Sequence, residues 1–326
     1  MTARHAAARG RGVRPKRHAG AVAIAVLLIV TGMAICLYPM AANLLAERTH
    51  ATAITGYRAA VSQMDDVAMH REQSAADRYN QALAAGEAPA DDAYEATLNL
   101  GSDGVMGYVT VPRIGLRLPI YHGTGETALA KGTGHLRRSS LPVGGTDTHA
   151  ILTGHRGLPS AELFTRLDEL VPGDRFTVTV LQRTLTYRVI RTRVVLPREA
   201  SVLGIEHGRD LVTLVTCTPY GINTHRLLVT GERVAATPGE DLRQDALAAG
   251  SGPWRFGAWT VMAGVGAIAT IGAMIGTTIT RTITQHNRRR THSRHGHGRN
   301  GVRRTGPGLG RRSAKPRLHL STRRTP

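Results

Sequence analysis

Leu211 to Cys217 reads LVTLVTC and is followed by TPYG (Thr218–Gly221) and then by HRLLVTGER (His225–Arg233). The first run is apolar and β-branched, which suits a buried strand. Pro219 cannot continue a central strand, so that strand ends at Cys217. The Gly-containing turn then sends the chain back as a second strand. The thiol therefore stands at a strand end, where sites are commonly built. Arg226 lies nine residues later on the returning strand, close enough for its guanidinium to reach the neighbourhood of the thiol.

Working outward, short β-type runs separated by turn residues fill the region from Gly107. They are Tyr108–Val111, Leu116–Ile120, Ala150–Thr153, Arg175–Val180 and Leu185–Val195, besides the two already given. Apolar and polar residues alternate in RFTVTVL (Arg175–Leu181), the mark of a half-buried strand. One short helix is expected at Ala161–Leu170. Seven short strands with little helix predict a mainly β barrel or sandwich. Upstream, 47–85 is rich in Ala, Gln, Glu, Met and Arg and predicts a helix, broken by Gly86 and Pro89. Asp91 to Tyr94 is expected in an irregular stretch.

Charge divides the 326 residues differently. Of the 42 Lys and Arg, six lie in 1–18 and fourteen in 281–326, two segments without an acid. The remaining 22 face all 23 Asp and Glu in 19–280, so the middle sums to −1 within a total of +19. Ala19 to Ala46 is uncharged for 28 residues and Phe256 to Thr280 for 25, each long enough to cross a bilayer. Lys/Arg-rich ends stay cytoplasmic, which predicts two spans, both termini inside and 47–255 outside. Cleavage of the first run as a signal peptide is the other reading, although no small-x-small site precedes a polar start. The basic tail at 281–326 has no aromatic residue for base stacking. A disordered topology determinant touching membrane lipid accounts for it without nucleic acid.

The expected organisation is a basic tail (1–18), a transmembrane helix or signal anchor (19–46), a helical extension (47–98), a β domain (99–235), a linker (236–255), a second transmembrane helix (256–280) and a basic cytoplasmic tail (281–326). Cys36 lies in the first apolar run, so Cys217 is the one cysteine of the β domain. Two cysteines exclude a disulfide framework and a Cys-rich zinc site, and no HExxH motif or ligand cluster is present. No metal and no cofactor is expected. A lone thiol is either a core residue or, given a partner, a nucleophile. His155, in GHRG after the strand Ala150–Thr153, is the candidate partner; His122, His135, His149, His207 and His225 are rivals.

These residues and their flanks resemble the sortases, cysteine transpeptidases of Gram-positive cell surfaces. TLVTC (Thr213–Cys217) is similar to the TLxTC signature, with the Arg nine positions on and an upstream His at a strand end. GYVTVPRIGLRLPIYHGT (Gly107–Thr124), GTGHLRRSSLPVGG (Gly132–Gly145), LTGHRGLPSAELFTRLDEL (Leu152–Leu170) and TLVTCTPYGINTHRLLVTGER (Thr213–Arg233) resemble class C, the pilin-polymerising group. The resemblance covers roughly 100–235. It implies a closed eight-stranded β-barrel in which Cys217 attacks the Thr-Gly bond of an LPxTG-like signal, His155 is the general acid/base and Arg226 binds the peptide and its oxyanion. The acceptor it implies is a pilin lysine. Peptidoglycan attachment is the neighbouring alternative, and a non-catalytic membrane-tethered scaffold the alternative of another class. The resemblance also implies an inhibitory N-terminal lid with an Asp-Pro-aromatic motif. Asp92-Ala93-Tyr94 matches it with Ala for Pro, so that Asp92 is expected to reach toward Arg226 and Tyr94 to pack near Cys217.

Overall fold

The run from Leu211 is the centre of a strand that has neighbours on both sides, as its unbroken apolar character requires. A computed structural model describes residues 17–101, 104–158 and 160–236, with positions 266, 272, 281, 284 and 285 beyond them. Apart from Gly266 and Gly272, the second apolar run lies outside the described residues, so the expected span at 256–280 is not addressed by them.

Eight strands close into one barrel: β1 (Val105–Val111), β2 (Leu116–His122), β3 (Thr133–His135), β4 (Thr148–Thr153), β5 (Arg175–Val180), β6 (Arg183–Val195), β7 (Asp210–Thr218) and β8 (His225–Arg233). The order around it is β1-β2-β3-β4-β7-β8-β6-β5. Two pairs are parallel, β2 with β3 and β4 with β7; the others are antiparallel. Parallel neighbours need a crossover rather than a hairpin. A helix at Glu126–Lys131 supplies the first crossover, and everything from Gly154 to Arg209 supplies the second.

Side chains alternate across the barrel wall. Val212, Leu214 and Val229 join Phe176 and Tyr187 inside, the two rings stacked 5.6 Å apart. Ile151, Val215 and Leu228 form a separate apolar strip on the outer face, covered by Leu136, Val195, Val202 and Leu203. β1 is buried along its whole length because its outer face is covered too.

That cover is α1 (Arg17–Ser62), one helix of 46 residues containing Pro39. Its stretch from Ile24 is long and apolar enough to cross a membrane, and its most apolar window is not buried against protein. The expected boundary at residue 46 is not a break. The helix continues and packs Ile54, Tyr57 and Val61 on Val105, Tyr108 and Tyr121. The Leu181 N–H donates to the Tyr57 hydroxyl at 2.6 Å, and Arg58 bonds the Tyr108 hydroxyl at 2.6 Å.

The expected single helix over 47–85 is two. Asp65 caps α2 (Asp66–Ala84), its carboxylate accepting the Ala68 N–H at 2.7 Å. An Asp N-cap is a strong start signal, overlooked beside the favourable composition. α2 then pins two distant segments. Asn80 exchanges hydrogen bonds with both backbone groups of Leu141, and Glu72 accepts the Leu98 N–H at 3.0 Å. The expected irregular stretch at Asp91 is α3 (Asp91–Ala96). The expected helix at Ala161–Leu170 is only a 3-10 turn at Leu167–Glu169, because the loop there follows the barrel wall. The crossover helix is α4 (Glu126–Lys131).

Two rival histidines are structural. His135 is fully buried, and burial pushes its pKa down to about 4. Its Nε2–H donates to the Ser140 carbonyl at 2.8 Å. His149 lies on the outer face beneath Gly204, whose carbonyl it holds at 2.8 Å, with Thr213 at 2.7 Å on its other nitrogen. Burial holds it below the ordinary imidazole range. Both are neutral when folded and take up a proton in the unfolded chain below 6.5. The unfolded state then binds more protons, so stability falls as pH drops from 6.5 toward about 4. Urea midpoints should decline across that window, before most carboxylates titrate; a flat profile there would show that neither imidazole is held neutral.

Candidate active site

The β4–β7 pairing decides what meets the thiol. Leu152 pairs with Leu214 and Thr153 with Val215 in parallel register. Past the end of β4 the contact continues. The Gly154 N–H donates to the Val215 carbonyl at 3.0 Å, and the Thr216 hydroxyl donates to the Gly154 carbonyl at 2.8 Å. His155 follows directly, two residues past the last paired position of β4. On the other side of β7, Cys217 pairs directly with Arg226. Side chains opposite one another share a face, so Cys217 and Arg226 both stand on the outer face, at the end of the Ile151–Val215–Leu228 strip. His225 pairs with Thr218 and, one residue from Arg226, projects to the other face. His207 is exposed and faces Asp147 at 3.4 Å.

Each of the three is only part-covered. Cys217 is free and of intermediate exposure. The His155 side chain is 27% exposed and its Nε2 is buried without a hydrogen bond; Glu126 Oε1 lies 3.9 Å away, on a side chain that is 89% exposed. Arg226 Nη1 donates to the Asn223 and His225 carbonyls at 3.2 and 3.1 Å, so its guanidinium is folded toward the hairpin turn.

Arg156 escaped the sequence reading. Its guanidinium donates to the Thr165 carbonyl at 3.2 Å and to the Thr218 hydroxyl at 2.9 Å, and pairs with Asp168 at 2.7 Å. With a side chain only 9% exposed, it locks the turn after His155 to the turn after Cys217. The two turns also touch through Gly157 and Tyr220. A Cβ on Gly157 would fall 2.9 Å from the Tyr220 ring, and its φ of +80° favours glycine besides. An Arg next to the candidate His was the available signal, but one-dimensional spacing does not show which turns face each other.

The lid residues are not where the resemblance places them. Asp92 accepts the Ala93 N–H within its own helix, and its expected contact with Arg226 is not formed. Tyr94 is a core residue and not a cover on the thiol. Its ring is fully buried, 5.7 Å from His135 and edge-on to His122 at 5.2 Å, with the Arg137 guanidinium over it. Its hydroxyl accepts the Gly123 N–H at 2.8 Å and donates to His135 Nδ1 at 3.1 Å, since Nε2 carries the imidazole proton. Arg137 also pairs with Asp91 and Glu95. Ala in place of Pro leaves an N–H at residue 93 for the Asp92 carboxylate, and α3 packs as a folded element.

A closed barrel carrying a thiol, an imidazole and a guanidinium across three neighbouring strands has the parts of a cysteine-centred acyl-transfer site. Residues 109–234 match the family model described as Sortase domain. Sortase D of Bacillus subtilis is 30% identical over 131 residues, 39% of this chain and 63% of the relative. Sortase A of Streptococcus agalactiae is also 30% identical over 131 residues, with 52% of its length covered. The chain thus spans about half to two thirds of the length of these two curated relatives. Among solved structures, sortase C1 from Streptococcus agalactiae is 44% identical, with 57% of this chain and 100% of that one covered and a TM-score of 0.55. Clostridium perfringens sortase C, solved with the C-terminal cell wall sorting motif, is 40% identical, with 57% and 100% covered and a TM-score of 0.53. The chain belongs to the sortase family, and the solved chains it resembles are class C sortases.

Two substitutions test this description. Arg156→Ala leaves Asp168 and Thr218 without their partner and should cost about 2 kcal/mol, read as a lower urea midpoint. Tyr94→Ala empties a core site and should cost about 3–5 kcal/mol. A Tyr94→Ala midpoint equal to that of the unaltered protein would return Tyr94 to the surface lid.

Proposed function

We propose that this protein is a membrane-anchored class C sortase whose nucleophile is Cys217. The observation that carries the reading is the pairing of Cys217 with Arg226 across β7 and β8, together with the Thr216–Gly154 bond that ties the residue before His155 to the Cys217 strand.

In this reading the Cys217 thiolate attacks the threonine carbonyl carbon of an LPxTG-like signal. Arg226 turns from the hairpin carbonyls to the developing oxyanion and stabilises it by charge and hydrogen bonding. The Thr–Gly C–N bond breaks as His155 Nε2–H gives its proton to the leaving amine, and a thioester remains. A pilin lysine then attacks the thioester, His155 takes its proton, the isopeptide bond forms and the thiolate is released. Two spans with both termini cytoplasmic place this chemistry outside the cell, at the wall; α1 supports the first span.

The full chain in detergent, mixed with a sorting peptide, should give a thioacyl adduct by intact mass spectrometry. Cys217→Ala should give none. Arg226→Ala should slow its formation by about 10²–10³-fold and His155→Ala by about 10²–10⁴-fold. Transfer to a pilin lysine supports polymerisation, whereas transfer only to a peptidoglycan amine makes the protein an anchoring sortase. A folded sample that forms no adduct with any sorting peptide overturns the reading in favour of a scaffold.

A further inference from the structure

We propose that one end of the barrel is seated directly on the lipid surface, with the Val171-Pro172 turn as its apolar contact. The proposal rests on the membrane-anchored reading above and adds where the folded domain sits.

The argument begins with the continuity of α1. Tyr57 is level with Leu181 at one end of the barrel, through the bond between them. Toward its N-terminus the same helix passes the other end, where Asn43, Glu47 and His50 share a groove of about 320 Å³ with Ile114, Leu118 and Glu162. The helix therefore runs along β1 and leaves the barrel beside the 112–118 turn. Asn43 is the first helix residue to line that groove, inside the uncharged run that starts at Ala19, and Ala46 packs against the core. Those 24 residues, Ala19 to Ala42, rise about 36 Å, against a hydrocarbon core of about 30 Å. The few ångströms left over are the depth of one headgroup layer, so no tether separates barrel from bilayer. Pro39 removes one helical hydrogen bond and can tilt the barrel, but it lies before the first contact and does not raise it.

Three segments meet at that end. Arg166 donates to the Ile114 carbonyl at 3.2 Å, Arg113 faces Asp174 at 3.8 Å, and β5 starts there because Thr110 pairs with Thr177. The turn before β5 is Val171-Pro172-Gly173. All three are exposed, and Val171 keeps 50% of its surface. This apolar tip of a turn is uncovered among the described residues, and headgroups at this height would cover it. Arg113, 54% exposed, stands beside it to meet lipid phosphate. The loop that follows His155 reaches Glu162 and Leu163 in the same groove.

The full chain, with Cys36→Ser and Cys217→Ala, is reconstituted in vesicles of phosphatidylcholine and phosphatidylglycerol. A fluorophore is placed on a single cysteine at Leu28, Arg113, Val171 or Arg183, the last at the far β5–β6 turn. Nitroxide-labelled lipids then quench it. Acyl-chain nitroxide should quench Leu28→Cys, and headgroup nitroxide should quench Val171→Cys and Arg113→Cys several-fold more than Arg183→Cys. Quenching at Leu28 with Val171 and Arg113 no better quenched than Arg183 overturns the seating and leaves the anchor intact. No quenching at Leu28 overturns the anchor, and the seating with it.

Discussion

Everything at the site depends on the parallel pairing of β4 with β7. An antiparallel neighbour would bring the start of a strand to the thiol. A parallel one brings the residue that follows the strand's end, and with it a loop free to carry chemistry. The Thr216 hydroxyl on the Gly154 carbonyl extends the pairing past the last ladder bond, so the His155 turn is held by the strand that bears Cys217. The crossover that parallel pairing demands contributes Arg156 and Asp168 as a brace, and its Phe164 N–H donates to the His155 carbonyl at 3.0 Å. Its length is thus part of the site's construction.

The outer face is organised by the same alternation that fills the barrel. Leu214 points in and is core; Val215 points out and is floor; Thr216 points in and ties the turn; Cys217 points out and is exposed to a partner. Thr213 completes the pattern outside, its hydroxyl joined to both His149 and Thr230. Through His149 that chain of bonds reaches Gly204 and holds the β6–β7 connection over the strip. The two threonines of TLVTC are structural, one for each wall of the groove.

Much of this was legible in the sequence where the pattern was local. Arg175–Val180 and His225–Arg233 have the expected bounds, and the turn after Cys217 was marked by Pro219 and Gly221. β3 escaped because three residues, Thr133 to His135, carry no periodicity; only its neighbours define it. The Leu167–Glu169 turn was mistaken for a longer helix because its apolar residues serve a loop pressed on the barrel. The trio of candidates rests on resemblance and spacing; that His225 and Arg226 fall on opposite faces of β8 is a matter of strand register, which spacing does not encode. The lid motif misled in position: Asp91 to Ala96 forms a short helix packed on Tyr79, His122 and His135, contacts that join residues far apart in the chain.

Closure of the barrel has a consequence for how a peptide can be read. A sheet with a free edge can recruit an extended chain as one more strand, through main-chain bonds alike for every sequence. Here the wall is complete, and β3 is too short to cover all of β4. The exposed part is stoppered: the Ser139 and Ser140 hydroxyls take the Ile151 and His149 N–H groups at 3.2 and 2.9 Å. Two serines thereby turn a sticky edge into a finished one. A peptide on such a wall would be told apart by what its side chains offer, and the capped edge gives a second copy no strand to pair with.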